Sequence, residues 1–267
     1  MIQPYTYIHQ GAKIADNVKI DPFTVIHPDV EIGEGTWIGS NVTIMNGARI
    51  GKNCRIFPGA VISAVPQDLK FAGEETIAEI GDNTTIREFV TINRGTIDKW
   101  KTHIGSNCLI MAYSHIAHDC FVGNNCILSN NVQMGGHVLM GDWAIVAGMG
   151  AIQQFSRIGV HAYIGGGCLV NKDIPPYIKV VRQPITYGGV NSVGLKRRGF
   201  SNERINEIID IYRTIYSSGL NISQSLELIE QEFNTSDERD EIVTFIRESE
   251  RGIVKRTGGR EAADIED

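Results

Sequence analysis

Six residues that could take part in proton transfer recur at a regular interval in the middle of the sequence. They are His115, His118, Asp119, Gly136, His137 and Gln154. Gly136 comes 18 residues after His118, and Gln154 comes 18 residues after Gly136. In a solenoid with that repeat length, equivalent positions stack on one another, so we expect these groups to meet along one edge of the molecule.

A histidine beside an aspartate is the usual arrangement of a general base, because imidazole titrates near neutral pH and the carboxylate stabilises the imidazolium that forms. His118 and Asp119 fit this arrangement. Gly136, one repeat above, would leave a backbone N–H open to a developing oxyanion. No serine or cysteine is clearly placed as a nucleophile, since Ser114 is expected to point inward. Direct attack by a substrate hydroxyl or amine is therefore favoured over a covalent enzyme intermediate.

The same histidines allow two further interpretations. His115, His118 and His137 could bind zinc, which takes imidazole ligands, or they could be ordinary polar surface residues. Stoichiometric zinc in the purified protein would favour the first interpretation. The remaining four histidines lack an evident polar cluster and are expected to be surface residues: His9, His27, His103 and His161.

A six-residue repeat supplies the fold that would position these groups. From Ile2 to Val170, every sixth residue is aliphatic at 26 of 29 positions, and the exceptions are Asp68, Glu74 and Asp98. A small residue follows four positions after each aliphatic one, which is the hexapeptide pattern of a parallel β-helix. Each hexapeptide forms a short strand and a corner, and three complete one coil. The pattern predicts a triangular prism filled by the aliphatic column.

All five cysteines fall in the small column of this repeat, at Cys54, Cys108, Cys120, Cys126 and Cys168. Their odd number and the absence of a CxxC pair argue against a disulfide framework and against a thiolate metal site. We therefore expect five small, buried side chains with a packing role.

The repeat is interrupted at 63–79 and at 95–102, where proline, glycine and charged residues break the pattern. Loops extruded from a solenoid cost little stability and often carry function, although each could equally be a tolerated insertion. We expect the prism to span residues 1–176 and a helical domain to span residues 177–267. Pro175 and Pro176 are expected to end the ladder pairing, because proline has no N–H to donate.

The apolar period becomes helical after about Val190. Three amphipathic segments follow Ser201, Ser223 and Ser236, of which Ser201 is expected to be an N-cap, and Gly219 ends the first segment. The helical domain could cap the open end of the prism or contact neighbouring subunits.

A basic cluster and a polar tail flank these helices. Lys196-Arg197-Arg198 could balance the dipole at a helix C-terminus, or it could contact a phosphate or an acidic partner. Residues 256–267 are expected to form a solvated tail.

The composition of the chain excludes several classes of protein. Of its 267 residues, 42% are hydrophobic and 21% are charged, which argues against disorder. The sequence has no apolar run long enough to span a bilayer, and residues 1–13 lack the features of a signal peptide. We expect a cytoplasmic protein without stable membrane insertion. The net charge of −6 argues against nucleic acid as a general partner.

Several longer motifs, in a fixed order, resemble one family. Over nearly its whole length the chain is similar to the bacterial UDP-N-acetylglucosamine O-acyltransferases of lipid A biosynthesis, within the hexapeptide-repeat acyltransferase superfamily. The motifs are PQDLKFAGE at 66–74, HIAHDC at 115–120, GGH at 135–137, QF at 154–155, DIPPY at 173–177 and GLKRRGF at 194–200. Hexapeptides alone would indicate only the superfamily.

The resemblance implies a left-handed parallel β-helix with a C-terminal α-helical domain, assembled as a cytoplasmic homotrimer with three active sites between subunits. It implies transfer of an (R)-3-hydroxyacyl chain from acyl carrier protein to the 3-position of UDP-N-acetylglucosamine, the first step of lipid A biosynthesis. It implies no metal and no organic cofactor, because the phosphopantetheine arm belongs to the carrier protein.

The resemblance also implies roles for individual residues. His118 matches the general base of the family, Asp119 matches its partner and Gly136 matches the oxyanion donor. Contacts to the sugar, the nucleotide or the acyl donor are implied for Gln67, Asp68, Lys70, His115, His137, Gln154, Asn191, Arg197 and Arg198. Gly166 matches the position that limits the length of the acyl chain.

Two positions depart from the family pattern. Gln153 stands where the family often has a histidine, and Val193 stands where a glutamate often contacts the nucleotide. They raise the hypothesis of a 3-amino acceptor sugar, which would give an amide. The repeat is also compatible with an acetyl-CoA enzyme of the same superfamily, with an N-acyltransferase for a later sugar intermediate, and with a solenoid scaffold without activity.

Overall fold

The computed structural model of the chain describes residues 1–256. Within them, 27 short strands are followed by four helices. Successive strands belong to different faces, so each sheet takes every third strand, and the pairs are parallel except for the last. The predicted left-handed parallel β-helix with a C-terminal helical domain is confirmed.

The strands, numbered β1 to β27 along the chain, form the three faces of the prism. Sheet I contains β1 (Tyr7–Ile8), β4 (Val25–Ile26), β7 (Thr43–Ile44), β10 (Val61–Ala64), β13 (Thr91–Asn93), β16 (His115–Ile116), β19 (Gln133–Met134), β22 (Ala151–Ile152) and β25 (Leu169–Val170). Sheet II contains β2 (Lys13–Ile14), β5 (Val30–Ile32), β8 (Ala48–Ile50), β11 (Ile77–Ile80), β14 (Lys101–Ile104), β17 (Phe121–Val122), β20 (Leu139–Met140) and β23 (Arg157–Ile158). Sheet III contains β3 (Lys19–Ile20), β6 (Trp37–Ile38), β9 (Arg55–Ile56), β12 (Thr85–Ile86), β15 (Leu109–Ile110), β18 (Ile127–Leu128), β21 (Ile145–Val146), β24 (Tyr163–Ile164), β26 (Ile178–Val181) and β27 (Thr186–Val190).

Three edges of the prism connect these faces. Corner I joins a strand of sheet I to the next strand of sheet II, corner II joins sheet II to sheet III, and corner III joins sheet III to sheet I. Many corners turn through one residue with a left-handed backbone, such as Asn125 (φ 58°) and Trp143 (φ 62°) in corner II. Asparagine tolerates this conformation better than most residues, and the aromatic residues at these positions stack on one another between coils.

The aliphatic column fills the prism, as predicted. Its members from Ile20 to Val170 are at most 4% exposed, and each contributes about 1.5–3 kcal/mol relative to an exposed side chain. The column is less buried at its start, because no coil lies below the first one: Ile2 is 56% exposed. The column therefore works as the hydrophobic core from the second coil onward.

The five cysteines are free thiols and all are buried. Three of them donate from Sγ to a carbonyl oxygen in the next coil, 15 residues later, as Cys108 does to Gly123 at 3.1 Å. Burial raises the pKa of the Cys120 thiol to about 12. The predicted packing role fits these contacts.

The chain leaves the coil in two loops, at 65–76 between β10 and β11 and at 94–100 between β13 and β14. They correspond to the predicted interruptions at 63–79 and 95–102, whose outer residues belong to the flanking strands. Both loops leave from corner I, because each connects a strand of sheet I to a strand of sheet II.

The prediction that Pro175 and Pro176 end the ladder is wrong. Ile174 forms a bridge with Ile158, and β26 pairs with β24 in sheet III. The two prolines lie in a corner between strands, where their missing N–H groups are not needed for pairing. The last strand, β27, then folds back antiparallel to β26.

The helices are α1 (Ser192–Arg197), α2 (Asn202–Ser217), α3 (Ile222–Glu232) and α4 (Asp237–Arg247). Ser201 caps α2 as predicted and Ser236 caps α4, while Gly219 follows α2 in a left-handed conformation. The cap of α3 is Asn221 instead of Ser223, because Asn221 and Gln224 form a reciprocal capping box.

The helices pack against the C-terminal end of the prism. Tyr212 donates from its hydroxyl to the carbonyl oxygen of Pro176 at 2.6 Å, and Arg157 pairs with Glu248. None of the helices in residues 1–256 is long and apolar enough to cross a membrane. The predicted solvated tail lies, apart from Arg256, outside the described residues.

Candidate active site

A histidine–aspartate pair stands in corner I, between β16 and β17. The Nδ1 atom of His118 lies 2.8 Å from Oδ2 of Asp119, and the two side chains are 7% and 0% exposed. Since an ionised carboxylate only accepts hydrogen bonds, Nδ1 carries the proton and the Nε2 lone pair faces away from Asp119. This is the geometry that a general base requires.

The loop at 94–100 fixes the carboxylate of Asp119. Thr96 donates to it twice, from its N–H at 2.9 Å and from Oγ1 at 2.6 Å, and the N–H of Lys99 lies 3.3 Å from Oδ1. Burial acts to raise the pKa of Asp119, but the hydrogen bonds from Thr96 and His118 outweigh it, so the pKa lies below its ordinary value. Asp119 is therefore ionised at neutral pH and able to stabilise an imidazolium.

Sequence reasoning did not identify Thr96, Lys99 or Thr102 as part of this site. Thr102 accepts at Oγ1 from the N–H of Asp119 at 2.8 Å. The available signal was the interruption at 95–102, which leaves corner I one coil below Asp119. A loop that breaks the repeat directly below a candidate catalytic pair should be counted as a candidate for holding it.

Gly136 lies one coil above His118. A Cβ atom built on Gly136 would stand 2.7 Å from Cε1 and 2.8 Å from Nε2 of the imidazole, so a larger residue would push the ring aside. The carbonyl oxygen of Gly136 accepts from Phe155, whereas its N–H has no protein acceptor within residues 1–256. A backbone donor thus lies beside the reactive face of the histidine.

His137 forms the second imidazole of the site. Its Nε2 atom lies 3.7 Å from Oδ2 of Asp119, and its ring meets that of His118 edge-on at 5.1 Å. Nδ1 lies 3.1 Å from a carboxylate oxygen of Asp98 without the alignment of a hydrogen bond. Burial lowers the pKa of His137 despite the charge of Asp119, so the imidazole is neutral at neutral pH.

His115 lies on the outer surface of sheet I, beside the pair. Its Nδ1 atom is 2.7 Å from Oγ1 of Thr91 in the coil below. Burial and then the charge of His118 lower its pKa. His115 is therefore a neutral polar group that borders the site, in agreement with the predicted convergence of the three histidines.

The loop at 65–76 reaches the open side of His118. Oδ2 of Asp68 lies 3.9 Å from Nε2 of His118, and Oδ1 of Asp68 accepts from the N–H of Lys70 at 2.9 Å. The side chains of Gln67 and Lys70 are exposed. The loop thus contributes an acidic group next to the Nε2 lone pair and two further polar side chains around it.

A cleft of about 700 Å³ opens at this corner, lined in part by Asp119, His137 and Phe155. Its far wall comes from the chain after α4, where Arg251 donates to the carbonyl oxygen of Gln154 at 2.9 Å. The side chain of Gln154 is exposed. The cleft is large enough for part of a substrate of sugar-nucleotide size.

A second group of the residues singled out in the sequence lies at corner II. Asn191 caps α1, accepts from the N–H of Gly194 and donates to the carbonyl oxygen of His161. Arg197 is exposed in the last turn of α1, and Arg198 contacts Trp143 and His161. The basic cluster does lie at a helix C-terminus, one of its two predicted roles.

Gly166 lies at corner III, where it is exposed and a Cβ would stand 3.3 Å from the carbonyl oxygen of Gly148. The three groups of predicted site residues therefore occupy three different edges of the prism within one chain. Only the group at corner I, around His118 and Asp119, forms a connected cluster.

The metal alternative concerns the same atoms. His118, Asp119 and His137 each offer one ligand atom, and these atoms lie within 4.8 Å of one another; His115 is not part of that group. However, Oδ2 of Asp119 already accepts from Thr96 and His118, so a metal would have to displace them. The general-base arrangement uses the atoms as they stand, and elemental analysis distinguishes the two.

Comparison with protein-family models matches both parts of the chain. The model described as bacterial transferase hexapeptide (six repeats) matches residues 11–36, 29–64 and 101–136. The model described as UDP N-acetylglucosamine O-acyltransferase, domain 2, matches residues 173–254.

Curated proteins and solved structures resemble the chain over almost its whole length. A protein of Xylella fastidiosa named acyl-(acyl-carrier-protein)–UDP-N-acetylglucosamine O-acyltransferase is 45% identical, covering 96% of this chain and 98% of its own. A UDP-N-acetylglucosamine acyltransferase from Bacteroides fragilis is 52% identical with a TM-score of 0.94, covering 96% and 100%. One from Francisella novicida is 40% identical with a TM-score of 0.93, covering 100% of both chains.

Proposed function

Because the chain belongs to the family of acyl-(acyl-carrier-protein)–UDP-N-acetylglucosamine O-acyltransferases, we propose that corner I is where it transfers an acyl chain to the sugar nucleotide. The enzyme takes its acyl group from acyl carrier protein and acts in lipid A biosynthesis. The observation that carries the assignment of the site is the buried His118–Asp119 pair with Gly136 stacked on its reactive face.

In this mechanism, Nε2 of His118 takes the proton from the 3-hydroxyl of UDP-N-acetylglucosamine as its oxygen attacks the thioester carbonyl carbon. Asp119 stays ionised and stabilises the imidazolium at 2.8 Å. The N–H of Gly136 donates to the oxyanion of the tetrahedral intermediate. When the intermediate collapses, the C–S bond breaks and His118 returns the proton to the departing phosphopantetheine thiolate.

The acyl donor is an (R)-3-hydroxyacyl carrier protein in this proposal, and the enzyme needs no cofactor of its own. Its thioester arm is part of the carrier protein substrate. The side chains that would bind the sugar around His118 are Gln67, Asp68, Lys70, His115 and His137. Asp68 is the nearest of these to Nε2, which suits an acceptor for a sugar hydroxyl.

We further propose that the active enzyme is a homotrimer with sites between subunits. Asn191 and Arg198 stand at corner II and Gly166 at corner III, whereas His118 stands at corner I. One chain therefore cannot bring all of them to one substrate. A neighbouring copy packed beside corner I would supply the corner II group, and closed threefold packing would repeat this site three times.

The proposed function is tested by incubating the protein with UDP-N-acetylglucosamine and a ladder of (R)-3-hydroxyacyl carrier proteins of different length, with products identified by mass spectrometry. We expect one acyl chain on the sugar and a preferred chain length. An enzyme that acylates only with acetyl-CoA, or only a later sugar intermediate, would contradict the proposal, and so would a protein without turnover. Stoichiometric zinc by elemental analysis would contradict the mechanism.

A further inference from the structure

Three stacked rings run along corner II in the last coils of the prism. Trp143 and His161 stack with ring centroids 6.2 Å apart and an interplanar angle of 3°, and His161 and Tyr177 stack at 5.6 Å and 17°. Phe200 closes the stack edge-on, 5.2 Å from the imidazole. His161, which the sequence suggested was an ordinary surface residue, is thus held on three sides.

Two of the predicted substrate-binding residues converge on this histidine. Asn191 donates from Nδ2 to the backbone carbonyl of His161 at 3.0 Å. Nη1 of Arg198 lies 3.2 Å from Nδ1 of His161, and its guanidinium carbon lies 5.2 Å from the ring centroid of Trp143. The imidazole and the indole together fix the direction of the guanidinium.

The charge of Arg198 is not neutralised within residues 1–256. Arg204, the next arginine along the chain, pairs with Glu238, whereas no carboxylate pairs with Arg198. Burial lowers the pKa of its guanidinium, but arginine stays protonated in proteins. A half-buried cation of this kind, with several N–H groups left over, favours an anion as its partner.

The partner that holds Arg198 is a neutral imidazole. A guanidinium only donates, so Nδ1 of His161 must be the unprotonated acceptor. Burial and the charge of Arg198 lower the pKa of His161 to about 4, so the ring is uncharged at neutral pH. An imidazole acceptor orients the guanidinium and leaves its positive charge intact, which a carboxylate would not do.

We infer that His161 is a positioning residue that holds the guanidinium of Arg198 toward a phosphate group of a substrate. The inference rests on the proposed function, which supplies two phosphate sources, the diphosphate of the UDP-sugar and the phosphodiester of the phosphopantetheine arm. Planar guanidinium groups bind phosphate oxygens in pairs, and their orientation therefore matters. His161 itself does not touch the substrate.

Two variants remove the contact while respecting the corner. His161→Phe keeps a ring in the stack, and phenylalanine already takes this left-handed corner conformation at Phe89 and Phe155. His161→Asn is too short to reach Arg198, and Asn125 holds the equivalent corner position two coils below. Asn107→Phe is the matched control, because it places a new ring in the same corner, three coils below His161.

We expect both His161 variants to raise KM for one phosphate-bearing substrate by about 5- to 20-fold, as for a weakened hydrogen bond to a charged group, with kcat within about 3-fold of wild type. KM for UDP-N-acetylglucosamine and KM for the acyl carrier protein are measured separately, and the one that rises identifies the phosphate. The double variant with Arg198→Gln should be no worse than Arg198→Gln alone, because His161 acts through Arg198. Asn107→Phe should match wild type.

Unchanged KM values in both His161 variants, or effects that add to those of Arg198→Gln, would overturn the inference while leaving the proposed function intact. If the wild-type protein shows no turnover with these substrates, the proposed function fails and calorimetric titration with inorganic pyrophosphate tests the positioning role. Weaker binding by His161→Phe than by wild type supports it, and equal or absent binding in both overturns it.

Discussion

Gly136 stands directly over the imidazole of His118, so closely that a Cβ on the glycine would lie 2.8 Å from the Nε2 atom. Gly136→Ala should therefore lower kcat/KM by about 100-fold or more, because the ring must turn away from both its substrate and the N–H of residue 136. Steady-state kinetics measure the loss.

Gly148→Ala is the control for folding in this experiment. Gly148 is also a corner glycine, but its added Cβ would meet only one atom, at 3.4 Å. The unfolding temperatures of the two variants should be close to that of wild type. Normal kinetics in Gly136→Ala would show that the imidazole can move without loss of activity and would remove the constraint.

His118→Ala should reduce the rate by about 10²–10⁴, the usual contribution of a general base. Its substrate KM values should change much less, because the acceptor is bound mainly by neighbouring side chains. His27→Ala is the matched control, since His27 lies on the same sheet I side of the prism and far below the site in the coil order. A variant at His118 with near-normal kcat would remove the residue from its proposed role.

Thr96→Val should lower kcat by about 10-fold, because Asp119 loses its shortest hydrogen bond, 2.6 Å from Oγ1 of Thr96, and holds His118 less firmly. Thr43→Val, a half-buried strand position in β7, is the control for the change of residue type. Kinetic assays of both variants at neutral pH make the comparison. An effect in both variants alike would point to the fold instead of the site.

The same substitution has a defined pH dependence. Asp119 has a folded-state pKa below its ordinary value of 3.8, so its interactions stabilise the folded protein fully above that value and are lost as the pH falls through the lower one. The gap in unfolding free energy between wild type and Thr96→Val should thus be largest at neutral pH and shrink below about pH 4. Denaturant unfolding across this range measures it, and a constant gap would contradict an ionised Asp119 as the acceptor.

The sequence was sufficient to predict the coil and the stacking within it. The interval between His118 and Gly136 equals one coil, so their contact follows from counting residues. The same counting failed at Thr96 and Asp68, because both belong to loops outside the repeat, where spacing carries no information about position. Long-range contacts from such loops depend on the loop conformation, which no periodic pattern specifies.

Local chemistry also limited the sequence predictions at the end of the prism. Proline was expected to stop the ladder at Pro175, but the chain uses it in a corner and resumes pairing at Ile178. His161 looked isolated because its partners, Trp143, Tyr177 and Arg198, are 16 to 37 residues away in sequence and meet only after α1 has folded back. Contacts made by a returning segment lie beyond what spacing can show.

The acceptor preference follows from the position of the two departures from the family pattern. Gln153 and Val193 are exposed and lie outside the hydrogen bonds that hold His118 and Asp119. The general base is therefore intact for removing a proton from a hydroxyl, and kcat/KM should be higher for UDP-N-acetylglucosamine than for its 3-amino analogue. Competition between the two acceptors in one reaction measures the ratio, and a strong preference for the amine would establish the variant-sugar hypothesis.

Sharing of sites between subunits predicts complementation between inactive variants. His118→Ala lacks the base at corner I, and Arg198→Gln lacks the cation at corner II. If each site takes His118 from one copy and Arg198 from its neighbour, mixed assemblies contain some sites with both residues intact. Random mixing in equal amounts should restore about a quarter of wild-type activity, since two independent choices of subunit must both be correct.

The mixture is prepared by co-expression of two differently tagged chains, with purification over both tags so that only mixed assemblies are assayed. Each variant alone serves as the baseline, and a mixture combined after separate purification shows whether subunits exchange. Activity no higher than the average of the two single variants would mean that both residues act on substrate within one chain. That result would contradict the shared site, because His118 and Arg198 stand on different edges of the same prism and only a second copy brings corner II to corner I.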